Sequence, residues 1–391
     1  MTHIKVALVQ FFIPHYRIPL FARLGQNPVL DLRVFHSPVP QGIGFKEESP
    51  GKEFKNTVVG SRWLAGKRLV WQDALCALDG LRAGDVLVIN GNPRMLHNYP
   101  LTLRARRRGI GVLWWGIGFM PGSSWINTQL RRRIMKSADC LLLYSDIEAD
   151  EFRKFGFIAS RVFGANNTID QSDIQAARAK WPHNRLSAFI REHQLENRKI
   201  ILYCTRLIKE RRLDWVISAL KLLVSKDPAY LLVVIGDGSE KHRFQECAES
   251  LGVTSSIRWM GSIYDQEQLA PWYLTASSMP FPTQVGLHIF HAFGYGLPIV
   301  LSDNLACHSS ELAAFSPGIN GLYYRDGDIA SLAETIDTIA SNESLRARLS
   351  HEAFRTVSEV FTLEHMCDKF SQAILESSRV ALARMKRIKC H

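Results

Sequence analysis

Seven cysteines are scattered through 391 residues, and no two of them make a C-x-x-C pair. A thiolate zinc site or a disulfide scaffold needs such spacing, so neither is expected, and reduced thiols in a cytosol are the simple reading. Long apolar runs are missing too. None approaches the roughly 20 residues of a membrane-spanning helix. The apolar run after Met1 stops at Pro14-His15-Tyr16-Arg17 without the small-residue cleavage site of a signal peptide. These features lead us to expect a cytoplasmic protein, free or peripheral on the inner face of the plasma membrane. The first strand-like run, residues 4–12, has no glycine after it, so the G-x-G-x-x-G turn of a nicotinamide enzyme is absent where it would be needed. Internal repeats and low-complexity tracts are also lacking. Acidic residues are in deficit: Lys and Arg number 48 against 37 Asp and Glu, a net charge of +11. That balance calls for anionic partners, whether nucleotides, nucleic acid or a phospholipid surface.

What is present is a series of short apolar runs rich in Val, Ile and Leu. They cover residues 4–12, 29–35, 85–89, 111–115, 140–144, 200–204, 231–235, 257–260, 297–301 and 321–324. Most lack alternation, as strands covered on both faces do. Amphipathic helix-forming stretches lie between many of them, including 212–224, 241–251, 330–340 and 343–357. Such alternation means right-handed crossovers and parallel sheets. Residues 169–197 are polar and helix-prone, and a second series starts at Ile200. The chain is therefore read as α/β, with two doubly wound domains, residues 1–180 and 181–391, the second carrying the C-terminal helices. A ligand is expected beyond the carboxyl ends of the strands, in the cleft between the domains.

Two basic clusters stand out, Arg104-Ala105-Arg106-Arg107-Arg108 and Arg131-Arg132-Arg133. Residues 127–136 read as a helix with Arg131, Arg132 and Lys136 on one side and Ile126, Leu130 and Ile134 on the other. A solvated basic face and attachment to an anionic membrane both fit. The tail from Arg384 is also basic. No nucleic-acid partner is expected, because aromatic residues are not interleaved with these runs.

Three segments carry candidate chemistry. Thr205-Arg206-Leu207-Ile208-Lys209-Glu210-Arg211-Arg212 follows a strand and sets cations at its carboxyl end, as a diphosphate clamp or a charged loop facing water. Ile235-Gly236-Asp237-Gly238 ends another strand and suits close backbone approach to a ligand. In the segment from Phe281 to Val300, Gly286 opens a helix whose unpaired amides form an anion site. His288 and His291 share one face of that helix. Cys307 and His308 follow downstream, but the spacing is not that of a zinc site, and no metal is expected.

These blocks, with Trp259-Met260-Gly261, resemble in order the family 4 retaining glycosyltransferases of the GT-B fold, glycosyl transferases group 1. The family's usual forms are "GRL…K", "GDG", "V-x-F-x-G" and "E-G-F-G-L…E-A-x-A-x-G-x-P-V". Weaker echoes lie in Pro14-His15-Tyr16-Arg17, Trp115-Gly116-Ile117-Gly118, residues 136–145, Glu311 and Asn320-Gly321-Leu322. The resemblance implies two Rossmann-like domains facing across a cleft and a nucleotide-sugar donor on the second. Arg206 and Arg211 would neutralise the leaving diphosphate. Gly236, Gly238, Gly261, Ser262, Ile263, Thr283, Gly286, Leu287 and His291 would line the donor, and His15, Arg17, Asn92 and Gly116 the acceptor or donor-sugar side. The donor would be UDP- or GDP-linked, the acceptor a glycan or lipid-linked glycan of surface polysaccharide, lipopolysaccharide or glycolipid synthesis. Transfer would proceed with retention, and neither metal nor cofactor is implied. The chain departs from the pattern at three places. The family's paired glutamates fall on Thr283 and His291, and a histidine common in the first domain falls on Ile117. A catalytically degenerate binding subunit, or another GT-B activity such as nucleotide-sugar epimerisation, stays open on those grounds.

Overall fold

The computed structural model describes residues 3–39, 52–66, 68–118 and 125–389. It divides into two compact units, the first built from Met1–Asp170 and Leu363–His391 and the second from Gln171–Thr362.

The first unit holds a seven-stranded parallel sheet. Its strands, across the sheet, are Lys55–Val58, Leu30–His36, Ile4–Val9, Val86–Asn90, Gly111–Trp115, Cys140–Leu143 and Val162–Gly164. The strand order runs outward from Ile4–Val9 in one direction, then starts again from Val86–Asn90 in the other. The central strands are buried along almost their whole length, which explains their unbroken apolar character. A small antiparallel hairpin, Ser61–Leu64 with Leu69–Gln72, lies outside this sheet.

The second unit has the same construction. One ladder joins Lys199–Cys204, Tyr230–Ile235 and Ile257–Gly261, and another joins Met279–Phe281, Ile299–Ser302 and Gly321–Tyr324. A parallel bridge between Ile201 and Ser278 links them, with the Leu202 amide donating to the Ser278 carbonyl at 3.1 Å. The six strands thus follow the doubly wound order of a dinucleotide-binding fold, with the reversal between Lys199–Cys204 and Met279–Phe281. Helix Leu213–Lys226 covers one face, sinking Leu213, Val216, Ile217, Leu220 and Leu223 into the core.

Two expectations need correction. The division falls at residues 170/171 rather than 180/181, because helix Ser172–Ala179 packs on elements of the second unit. Helix Leu363–Lys389 belongs to the first unit, not the second. Its Met366, Phe370, Ala373 and Ile374 enter the core that holds Val86, Leu113 and Trp115. Arg384 then forms an ion pair with Asp139, a buried carboxylate that also receives Arg106 and the Val112 amide. Arg384 is therefore no free cation of a basic tail.

Candidate functional site

In a doubly wound sheet the connections diverge where the strand order reverses, leaving a crevice beyond the carboxyl ends. In the second unit, residues 205–212 and 282–287 leave the two strands that flank this point. Both loops carry residues singled out in the sequence, and the fold stitches the loops together.

The stitches are specific. The Thr283 hydroxyl donates to the Glu210 carbonyl at 2.7 Å. Arg211 donates through Nη1 to the Gln284 carbonyl. The hydroxyl of buried Tyr203 donates to the Arg211 carbonyl at 2.9 Å. On the far side, the Val285 amide donates to His308 Nδ1 at 3.2 Å, and the hydroxyl of buried Tyr324 reaches the Pro282 carbonyl at 2.9 Å. His308 Nδ1 thus accepts, and its Nε2 faces the Ser302 carbonyl at 2.8 Å. Both ring nitrogens are committed to the backbone, so His308 is not placed to join His288 and His291 around a metal.

Positive charge collects here. Arg206 is exposed and Arg211 half-buried. Burial lowers the Arg211 guanidinium from its usual value, and the neighbouring charge of Arg206 adds to that. His288 is driven down to about 3, first by burial and then by His291, Arg211 and Arg206. Two arginines from one loop and two histidines from one helix therefore share one neighbourhood. The arrangement suits a doubly charged oxyanion, since fixed cations stabilise charge that grows on a leaving group.

The glycines also admit a close approach within the protein. A Cβ on Gly236 would stand 2.1 Å from the Thr205 carbonyl oxygen, and one on Gly238 2.3 Å from that of Leu207. The Leu207 amide also donates to the Asp237 carbonyl at 3.0 Å. The Arg-bearing loop thus approaches closely, and these glycines let it settle against the sheet edge. Gly261 ends its strand with φ 70°, with Ser262 exposed and Ile263 half-buried beside it.

The helix after Gly286 begins later than the sequence suggests. It spans His288–Gly294, and the amides of Ile289 and Phe290 turn back onto the carbonyls of Gly286 and Leu287. Those two amides are consumed, so Gly286 does not open the helix directly. Phe290 and Phe293 are buried as expected, while Leu287, His288 and His291 are partly buried.

The first unit repeats the geometry. Its reversal lies between Ile4–Val9 and Val86–Asn90, and Asn90 donates to Gln10 across it at 2.8 Å. Neither residue was evident from the sequence; Gln10 interrupts an apolar run and Asn90 follows one. His15 is exposed in the loop after the first strand. Arg17 is buried, its guanidinium stacked over Trp115 at 5.0 Å and Tyr16 at 5.2 Å. Asn92 caps its own turn by accepting from the Arg94 amide at 3.0 Å. Gly116 backs onto Gly91, where a Cβ would meet the Gly91 Cα at 2.9 Å. Ile117 offers its carbonyl to Arg131 at 3.0 Å.

That last contact corrects the basic-face reading. The helix spans Trp125–Ser137; the side chains of Ile126, Asn127 and Leu130 lie outside the described residues. Arg131 turns inward to the carbonyls of Ile117 and Gly118, and Arg132 lies over Phe155. Arg106 and Arg108 likewise bind carbonyls of Ser137, Leu78 and Leu81. Arg104, Arg107, Arg133 and Lys136 stay exposed.

Known proteins resemble this chain in sequence and in fold. Residues 187–356 match the family model described as Glycosyl transferases group 1. EpsD of Bacillus subtilis, which bears a glycosyltransferase name, is 24% identical over 284 residues, covering 68% of this chain and 71% of EpsD. The lipopolysaccharide core biosynthesis glycosyltransferase LpsE of Rhizobium meliloti is 24% identical over 45% of this chain and 49% of its own. The chain thus spans about half the length of some relatives and more of others. Among solved structures, a glycosyltransferase from Rickettsia africae aligns with a TM-score of 0.71 and 12% identity, over 96% of this chain and 99% of its own. Anabaena HepE in complex with UDP aligns with a TM-score of 0.69 and 13% identity, over 94% and 98%. Residues 187–356 thus match the glycosyl transferases group 1 model, in a chain that shares the GT-B fold of solved glycosyltransferases.

Proposed function

We propose that the chain transfers a sugar from a UDP- or GDP-linked donor to a glycan or lipid-linked acceptor in the synthesis of a surface polysaccharide, lipopolysaccharide or glycolipid. The observation that carries this is the placement of Arg206 and Arg211. They leave the strand that borders the reversal point, on a loop tied to residues 283–284 by two hydrogen bonds. When the bond from the sugar to the diphosphate breaks, its electron pair stays on the phosphate oxygen. Fixed cations at that oxygen lower the barrier without reorganising, and removing one such group typically costs about a hundredfold in rate. We assign transfer with retention and without a metal, in keeping with the family resemblance. The names of EpsD, LpsE and a Salmonella lipopolysaccharide 1,6-galactosyltransferase, 29% identical over 125 residues, support the acceptor class.

The acceptor side falls to the first unit, with His15, Asn92 and the Gln10–Asn90 pair at the rim. Attachment to an anionic membrane surface through Arg104, Arg107, Arg133 and Lys136 is part of the proposal. Among the described residues, no helix is long and apolar enough to cross a membrane.

A second reading, a binding subunit without turnover, draws on Thr283, whose hydroxyl is committed to the Glu210 carbonyl. Thermal-shift screening with UDP, GDP and dTDP tests the common ground. A ligand at a hundred times its dissociation constant should stabilise by about 2.7 kcal/mol. No shift with any of them removes both readings. Slow release of nucleoside diphosphate from the matching nucleotide sugar then separates transferase from binder.

A further inference from the structure

The antiparallel hairpin of the first unit is fastened along one strand and bare along the other. Its strands pair Arg62 with Trp71, Trp63 with Val70 and Leu64 with Leu69. Alternation puts Trp63 and Val70 on one face, and Arg62, Leu64, Leu69 and Trp71 on the other. Val70 is buried with Phe11 and Met95, and the Trp63 ring meets Phe11 edge-on at 5.5 Å. The Val70 amide donates to the Arg94 carbonyl at 3.0 Å, and the Leu96 amide to the Val70 carbonyl at 2.9 Å. Gln72 Nε2 donates to the Gln10 carbonyl at 2.8 Å. The hairpin therefore stands beside the carboxyl end of strand Ile4–Val9, next to the Gln10–Asn90 pair. Strand Ser61–Leu64 stays in solvent. All four of its residues are exposed, Trp63 to 42% and Leu64 to 38%.

Adjacent large apolar residues left bare at a hairpin tip add nothing to the core and mark a binding face. The charges say what it binds. Residues 56–72 contain no acidic residue. Arg62 and Arg68 are exposed within the same stretch. Asp73, at the base, accepts from the Trp71 indole at 3.0 Å and reaches Arg62 only at 3.9 Å, across two well-exposed side chains. Tryptophan beside leucine, flanked by arginines, is complementary to the boundary of an anionic bilayer. The indole suits the headgroup level, leucine the acyl region and guanidinium the phosphates. We propose that this hairpin inserts into the interface of an anionic membrane through Trp63 and Leu64, with Arg62 and Arg68 on lipid phosphates. The inference rests on the membrane attachment proposed above and deepens it. The exposed cations named there supply attraction that salt screens; the hairpin adds an apolar contact that salt does not. It also sets the bilayer beside the rim given to the acceptor, where a lipid-linked glycan would be presented.

The two contributions separate with ionic strength. The Debye length shrinks from about 10 Å at 0.1 M salt to about 3 Å at 1 M, so attraction between charges fades. Burial of Trp63 and Leu64 in the interface persists. Leu64 is the cleaner residue to replace, since it projects from the face opposite the Phe11 contact and leaves that contact untouched. An aspartate at this position also meets lipid phosphates with like charge.

The test is sedimentation of the full chain with vesicles of equimolar phosphatidylcholine and phosphatidylglycerol, at about 0.1 M and about 1 M salt. We expect part of the binding to survive high salt. Leu64→Asp should weaken binding roughly tenfold or more at both salts while melting like the parent. Leu64→Ser serves as the second variant should Leu64→Asp melt early. With lipids brominated on their acyl chains, the bound parent should lose tryptophan emission, and bound Trp63→Phe should lose less. Trp63→Phe keeps a ring against Phe11, so the difference reports position rather than folding. Leu64 variants that bind like the parent at both salts overturn the proposal, and so does equal quenching of parent and Trp63→Phe. Unchanged vesicle binding with a raised acceptor KM, or with a dimer that the variants break, assigns the hairpin to a glycan or to a second copy and overturns it equally. Loss of low-salt binding on replacing Arg104, Arg107, Arg133 and Lys136, but in no hairpin variant, leaves the basic surface standing without the hairpin. A parent that binds these vesicles at neither salt removes the membrane attachment and the proposal together, and leaves the donor assignment intact.

Discussion

Thr283 and Glu210 are joined by a hydrogen bond in which the threonine hydroxyl donates to the glutamate's backbone carbonyl across 2.7 Å. The bond ties the loop after strand Met279–Phe281 to the loop after strand Lys199–Cys204, and it holds Arg211 in place from the neighbouring position. Thr283→Val should lose about 1 kcal/mol of stability, the net worth of one such bond with its acceptor left short of a partner. Turnover should fall further than stability, because the arginine loop loosens. Thr283→Ser should restore both. Melting curves beside donor turnover for the three proteins check this; equal turnover in the valine variant would leave the bond without a functional role.

Glycine substitutions should separate packing from ligand contact. Gly238→Ala forces a Cβ against the Leu207 carbonyl and should cost on the order of 2–4 kcal/mol. At Gly286 the nearest atom to an added Cβ is Ser309 Oγ at 3.9 Å, and the backbone there is not left-handed. Gly286→Ala should therefore stay within about 1 kcal/mol of the parent. Denaturant unfolding gives both values, and similar costs at the two positions would contradict the loop-packing account.

Much of this was legible beforehand, and the failures have physical causes. The buried strands announced themselves because each is covered on both faces and so reads as an unbroken apolar run. Met279–Phe281 did not, since three residues with a central proline become a strand only through pairing with both neighbours. Ser61–Leu64 is exposed at every position and carries no pattern to read. The apolar stripe of Leu363–Lys389 marks a helix but cannot say which unit's core it fills. At the site, cations after a strand were evident from order alone. That Gly236 and Gly238 receive a neighbouring loop, and that Arg131 serves carbonyls rather than solvent, depends on contacts between segments far apart in sequence.

His97 should make stability pH-dependent. It is buried, its Nδ1 accepts from the Gln72 amide at 3.2 Å, and burial pushes its pKa down to about 4. A proton on Nδ1 would face that amide donor. The folded value lies below the unfolded one near 6.5, so the unfolded chain takes up protons first. Stability contributed by the neutral ring is present above about pH 6.5 and falls as pH drops toward 4, by at most about 3 kcal/mol. His97→Asn should flatten that part of the profile. Parallel profiles for parent and variant between pH 7 and 4.5 would assign the titration elsewhere.

The basic surface should divide into two classes. Replacing Arg104, Arg107, Arg133 and Lys136 together by serine should weaken binding to anionic vesicles at low salt, with about 1 kcal/mol carried by each residue near the surface. Melting should change little, because these side chains are exposed. Arg106→Ser should instead destabilise, as it removes a partner of buried Asp139. Vesicle sedimentation at two salt concentrations reads the first effect; equal binding to neutral and anionic vesicles would end the membrane assignment.

The most direct test of the donor site is nucleotide-sugar turnover by Arg206→Ala. Arg206 is exposed at the strand end, so its removal should leave the melting temperature unchanged. Release of nucleoside diphosphate from the preferred donor should fall about a hundredfold or more, the loss expected when a fixed cation facing the leaving group is removed. A variant that melts like the parent and turns over within threefold of its rate would contradict the assignment of this loop to the diphosphate.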